Sequence, residues 1–176
     1  MELVTTRLVL REYTQSDFDA VHRFASEPEV ATFVAWGPNT PQDTRGFLDG
    51  CMAERAESPR TSYTLAVTEA GSDPFGSVGV YCGDAMSHAE MGFVISPDRW
   101  GDGYATEAAE AILRFGFEGL GLHRIWATCR PENLASARVL ERIGMQREGH
   151  LRDHVCIRGC WRDSFLYAAI AASCSR

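Results

Sequence analysis

From Ala105 onward the residues Ala105, Ala108, Ala109, Ile112, Leu113 and Gly116 recur at helical spacing, which places them in one stripe. A strand cannot hold that stripe on one face. Just before it, Ala89 to Ser96 reads as a strand stopped by Pro97, and the two are joined by Arg99-Trp-Gly-Asp-Gly-Tyr-Ala-Thr-Glu107. The chain must therefore leave a sheet and enter a long amphipathic helix through a glycine-rich turn.

The flanking elements follow from the same reasoning. Arg7 to Arg11 reads as the first strand. Thr14, with Asp17 three residues on, caps a helix carrying Phe18, Val21, His22 and Ala25, and Pro41 sits in the first turn of another that runs to about Glu57. Tyr63 to Thr68 and Ser77 to Cys82 are strands around the turn Gly71-Ser-Asp-Pro74. After the long helix, ended by Gly119-Leu-Gly121, come a strand at His123 to Arg130 and a helix from Asn133 to Ile143, closed by Gly144. Two last strands, Gln146 to Ile157 and Trp161 to Ala169, turn at Arg158-Gly159. The expected fold is α/β of the α+β kind, one domain over residues 1–176. It has a mixed, mostly antiparallel sheet of about seven strands with about four helices.

Of the 176 residues 45% are apolar, and 24 acidic against 17 basic side chains leave a net charge of −7. A surface of that sign does not suit phosphate neutralisation, so direct nucleic-acid binding is not expected. No apolar run approaches the roughly 20 residues of a membrane span, and Met1 to Leu10 alternates like a strand rather than a signal peptide. The expected setting is the cytoplasm, with no membrane partner and a homodimer left open. Cys51, Cys82, Cys129, Cys156, Cys160 and Cys174 are scattered and read as reduced thiols. His150, His154, Cys156 and Cys160 would share a face of one strand, as zinc ligands might require. Arg152 and Arg158 would share it too, and two guanidinium groups beside a cation are unfavourable, so no metal is expected.

Gly101 and Gly103 permit backbone conformations closed to other residues, so successive N–H groups can converge on an anion. The helix opening near Tyr104 adds unpaired N–H groups and the positive end of its dipole. A helix-entry turn that happens to be glycine-rich is the plainer reading of these residues alone. A second segment, Asn133-Leu-Ala-Ser-Ala-Arg-Val-Leu140 with Gly144-Met145, follows the next strand. Asn133 can cap its helix and still face a ligand, with Ser136 about one turn further on.

Taken in order, these segments resemble the GNAT superfamily of N-acetyltransferases. Trp100-Gly-Asp-Gly-Tyr-Ala105 is similar to its pyrophosphate-binding motif, with Trp100 where Gln or Arg is usual. Thr6-Arg-Leu-Val-Leu-Arg11, the two motifs and Glu148-Gly-x-Leu-Arg152 followed by Trp161-Arg-Asp163 resemble the branch that acetylates ribosomal-protein N-termini. The resemblance covers nearly the whole chain and is weakest from Trp36 to Ser62. It implies acetyl-CoA as cosubstrate and direct transfer to an amine acceptor, a protein N-terminus or else a small molecule. A non-catalytic acyl-CoA binding module is the alternative outside the enzymes.

The resemblance also implies where the cosubstrate lies. Strands Ala89 to Ser96 and His123 to Arg130 would splay around the pantetheine, whose amides would pair with the backbone of Phe93, Val94 and Ile95. Trp100, Gly101, Asp102, Gly103, Tyr104, Ala105 and Thr106 would hold the pyrophosphate, with Asn133, Ser136 and Arg138 on the second helix. The acceptor ammonium must lose a proton before it attacks. Glu90 is the candidate base, alternating with Gly92 and Val94 and opposite the Met91-Phe93-Ile95 face, with Glu148 second. A solvated edge glutamate is the plainer reading of Glu90. Ser136 is the hydroxyl placed for the departing thiolate, and Trp36 and Trp161 could line the acceptor pocket.

Overall fold

The computed structural model describes residues 1–83 and 87–171, so Cys174 lies outside the described residues. Eight strands form one sheet: β1 (Glu2–Val4), β2 (Leu8–Glu12), β3 (Ser62–Glu69), β4 (Gly76–Cys82), β5 (His88–Ile95), β6 (Arg124–Cys129), β7 (Gln146–Ile157) and β8 (Cys160–Ile170). The helices are α1 (Phe18–Ala25), α2 (Pro41–Ala56), α3 (Tyr104–Arg114) and α4 (Leu134–Arg142). The strand order is β1-β2-β3-β4-β5-β6-β8-β7, and only β5 and β6 run parallel. That is the expected mixed sheet with one crossover, but with eight strands among the described residues rather than about seven. The extra one is β1. Thr5 turns the chain back, its N–H donating to the Leu8 carbonyl and its hydroxyl accepting from the Leu8 N–H, both at 2.9 Å.

The helices cover opposite faces. On one, Ala108, Ala109 and Ile112 of α3 are fully buried against Met91, Ile125 and Ala127 of β5 and β6. Each such Ile side chain contributes about 2–3 kcal/mol on leaving water. Below Arg114 the helix widens into one π turn, Phe115–Gly119. Gly116 is required there, because a Cβ would stand 2.4 Å from Ile125 Cδ1. On the other face, Val21 and Phe24 of α1 and Leu48 and Cys51 of α2 pack around Tyr13 and Ala66.

The β7–β8 hairpin departs from a simple ladder. Leu151 pairs with Ser164 and Val155 with Arg162, so β7 carries two extra residues between those pairs. Asp153 takes φ 46° in this bulge, and its N–H donates to Asp163 Oδ1 at 3.0 Å. Two extra residues preserve the alternation, so His150 and Cys156 stay on one face, opposite Phe165 and Trp161, while His154 turns to Ser164 and Cys160 lies across from Ile157 on the other. His150 Nε2 lies 2.6 Å from Asp163 Oδ2, His154 Nδ1 lies 2.7 Å from Ser164 Oγ, and Cys156 and Cys160 are exposed thiols. Among the described residues, three or more metal-ligating side chains come together nowhere.

Candidate active site

The loop between β5 and α3 is built as an anion cradle. Gly101 and Gly103 have φ of 90° and 82°, and Gly103 is the α3 N-cap. Positive φ, not crowding, is what requires glycine: a Cβ at Gly101 would meet nothing, and one at Gly103 only Arg7 Nη2 at 3.5 Å. The first N–H to enter the helical ladder is that of Glu107, bonded to the Gly103 carbonyl at 3.1 Å. Among the described residues, the N–H groups from Gly101 through Thr106 have no acceptor. Consecutive free donors at a helix N-terminus are what a pyrophosphate needs.

Side chains outside the motif hold this loop. Arg7 Nη1 donates to the Asp102 carbonyl at 2.8 Å while its Nε donates to Glu107 Oε2 at 2.7 Å, and its guanidinium lies 4.4 Å from the centre of the Tyr104 ring. Trp100 remains exposed, yet its Nε1 donates to the Ile95 carbonyl at 2.7 Å and ties the loop to the end of β5. Tyr104 is buried against Phe75, and its hydroxyl donates to Glu69 Oε1 at 2.6 Å. Of the residues assigned to the pyrophosphate, Tyr104 thus offers its backbone and not its ring. Arg7 was missed in the sequence because it acts across 95 residues, with no local pattern to mark it.

β5 and β6 pair over three registers only, His88 with Arg124, Ala89 with Ile125 and Glu90 with Trp126. Beyond Glu90 the two strands part, so the inner edge of β5 from Met91 onward has no strand beside it. The Ile95 carbonyl is taken by Trp100, and the register with β4 turns the Val94 N–H and carbonyl toward Ser77, so of the expected Phe93, Val94 and Ile95 only the Phe93 backbone and the Ile95 N–H face the open edge.

The parting point opens onto the face that α1 and α2 cover. Register places Ala66, Ser77 and Val94 in one row under those helices. The next row is Thr64, Gly79 and Gly92, and the next is Ser62, Tyr81, Glu90 and Trp126. A Cβ at Gly92 would meet nothing, so a trough runs beside Glu90. Over Gly79 it is roofed by Tyr81, whose hydroxyl would stand 2.4 Å from a Cβ there. Glu90 is half-buried, has no ion-pair or hydrogen-bond partner among the described residues, and burial holds its carboxyl above the ordinary value of 4.5. Burial also pushes the Tyr81 phenol up, with Glu54, Cys51 and Glu90 adding to it. Tyr81 is a second group that sequence reasoning overlooked: Gly79, two residues earlier on β4, leaves the space into which its ring folds.

Glu148 is otherwise engaged. It pairs with both terminal nitrogens of Arg124, Nη1 at 2.9 Å, and that hydrogen bonding holds its carboxyl below the usual range. Asn133 caps α4, its Oδ1 accepting from the Ser136 N–H at 3.1 Å. The Ser136 hydroxyl is half-buried, and Arg138 is exposed. Trp36 and Trp161 are exposed on two elements that meet: Arg158, at the β7–β8 turn, donates from Nη2 to the carbonyls of Ala31 (3.0 Å) and Gly37 (2.8 Å). The hairpin is thereby strapped to the α1–α2 connection at the edge of the trough.

An open-edged cleft between parting strands, a run of free N–H groups at one end and a partnerless carboxyl at its vertex suit an acyl-CoA-dependent transferase. The profile of the acetyltransferase (GNAT) domain matches residues 7–146, and the chain belongs to that family. An uncharacterized N-acetyltransferase of Bacillus subtilis, YnaD, is 34% identical over 171 residues, 97% of each chain. The [ribosomal protein uS5]-alanine N-acetyltransferase of Escherichia coli is 36% identical over 78 residues, 44% of this chain and 40% of that one. Mycobacterium smegmatis RimJ, solved in complex with CoA-disulfide, superposes with a TM-score of 0.82 at 27% identity, covering 93% of this chain and 82% of its own. The protein is therefore an N-acetyltransferase of the GNAT family, and its described helices include none long and apolar enough to cross a membrane.

Proposed function

We propose that this protein moves the acetyl group of acetyl-CoA to the α-amine of a protein N-terminus in the cytoplasm. The observation that carries the reading is the three-residue pairing of β5 with β6, which ends at Glu90 and opens a cleft toward the cradle at Gly101 to Thr106.

Acetyl-CoA, when bound, supplies an activated thioester and a thiolate leaving group. The free N–H groups of Gly101 to Thr106 take its pyrophosphate, and the edge-facing backbone of Phe93 and the Ile95 N–H take the pantetheine amides as an added strand would. A backbone N–H on that edge stabilises charge developing on the carbonyl oxygen. Glu90 accepts the ammonium proton, directly or through one water, and its raised pKa brings it nearer the operating pH. Ser136 donates a hydrogen bond to the departing sulfur.

Three features favour a protein N-terminus over a small amine. The likeness to the uS5-alanine enzyme spans 78 residues. The α1–α2 connection and the β7–β8 hairpin, tied together by Arg158, are surfaces that a longer acceptor chain could follow. Exposed Trp36 and Trp161 stand on those two elements as apolar surface for residues beyond the first. Thiol release from acetyl-CoA should be seen with an alanine-initiated peptide and abolished when that N-terminus is formylated. Release that persists with the formylated peptide would contradict the reading.

A further inference from the structure

Arg130 follows β6 directly and is only 7% exposed. Ala127 and Cys129 face the core under α3 and α4. Alternation puts Arg130 with Thr128 and Trp126 on the trough face, and its Nη2 donates to Thr128 Oγ1 at 3.4 Å. Its Nη1 is enclosed and has no acceptor. Arg11 is matched by Asp17, Arg60 by Glu12 and Arg124 by Glu148, but among the described residues Arg130 has no carboxylate partner. Burial holds its pKa below the ordinary guanidinium range, and Cys129 and Glu132 offset this only in part. An enclosed guanidinium without a counter-charge is unfavourable unless something supplies the missing acceptor.

We propose that Arg130 is a specificity residue that binds the oxygen on the carbon next to the acceptor's α-carbon. The preferred acceptors are then α-amino carbonyl compounds, a class that contains peptide N-termini and free α-amino acids, and simple alkylamines are bound without this contact. This rests on the acetyl-transfer reading above. Residue 128 lies two positions past the Glu90–Trp126 vertex, about 7 Å along the strand, and the Arg130 guanidinium is turned back to that level. An α-amino carbonyl separates nitrogen from oxygen by about 3 Å, and a hydrogen bond of about 3 Å at each end spans about 9 Å. One such group can therefore reach Glu90 with its nitrogen and Arg130 with its oxygen.

The test uses three acceptors at saturating acetyl-CoA: an alanine-initiated peptide, free alanine and propylamine. Arg130→Met should raise KM for the α-amino carbonyl acceptors roughly 10- to 100-fold and move kcat less, because a charge-assisted hydrogen bond is lost. Arg130→Lys should recover part of it, and CoA binding measured by calorimetry should not change. An equal loss on propylamine, or weakened CoA binding, would overturn the proposal. A test on the unaltered protein avoids any folding defect: N-acetylalanine should compete with the peptide and N-propylacetamide should not, and equal inhibition by the two would contradict it. Acetylation of free alanine without acetylation of the peptide would remove the N-terminal reading and leave Arg130 in place.

Discussion

Arg7 and Glu107, 100 residues apart, are joined at two points: the Arg7 N–H donates to Glu107 Oε1 at 2.8 Å and its Nε to Oε2 at 2.7 Å. Thr5 adds a third bond to the same carboxylate, at 2.6 Å. The first reverse turn of the chain is thus a brace for the loop proposed to hold pyrophosphate. Arg7→Met should weaken CoA binding several-fold while moving the thermal midpoint little, because the Arg7 side chain is exposed and Glu107 keeps its bonds from Thr5 and the backbone N–H of residue 7. Calorimetry with CoA and a melting curve separate the two effects.

Gly103 supplies the positive φ at the head of α3 in open space. Gly103→Val should cost about 1–3 kcal/mol through backbone strain and lower CoA affinity at least tenfold. Gly103→Asn should retain more affinity, since Asn tolerates that conformation. Gly116→Val is the contrast, because its clash with Ile125 lowers stability rather than CoA affinity. Equal CoA affinity in Gly103→Val and the parent would take the pyrophosphate away from this loop.

Glu90→Gln should lower turnover by about 10²-fold or more without changing CoA affinity. The base works ionised, so the parent's rate should fall as pH drops through a pKa raised above 4.5, and the variant should lose that limb. Stability runs the other way. A carboxyl raised in the folded state opposes folding when ionised, so the penalty is fully present above the folded pKa and gone below the unfolded one. The variant should therefore melt higher than the parent at neutral pH and with it below about pH 4. Full activity in the variant would leave water as the base.

Much of this architecture is legible in the residues because it is local. The stripe from Ala105 to Gly116, the proline at Pro41 and the Asn133 cap each depend on neighbours within a turn or two, and each lies where its pattern indicated. What pattern does not carry is register between distant strands. That Glu90 is the last residue of β5 paired with β6 depends on where Trp126 falls. Met1 to Leu10 alternates like one strand, and the reverse turn at Thr5 that splits off β1 from β2 carries no mark in that alternation. Of the even-numbered His and Cys residues near the end, His150 and Cys156 do share a face, because the bulge at Asp153 adds two residues, while the turn at Arg158-Gly159 puts Cys160 on the other.

Ser136→Ala keeps α4 and its cap, whose bond uses the Ser136 N–H and not its hydroxyl. Loss of one neutral hydrogen bond to sulfur should cost about 1–2 kcal/mol, roughly a 5- to 30-fold drop in kcat. A change within a factor of two, at unaltered CoA affinity, would assign thiolate protonation to water.

Mass spectrometry of an alanine-initiated, lysine-containing peptide after incubation with the protein and acetyl-CoA bears most directly on the central claim. The account predicts a single acetyl group on the N-terminal nitrogen, formed at a rate proportional to protein and lost in Glu90→Gln. Acetylation confined to the lysine side chain, or an unmodified peptide under conditions where a small amine is acetylated, would contradict it.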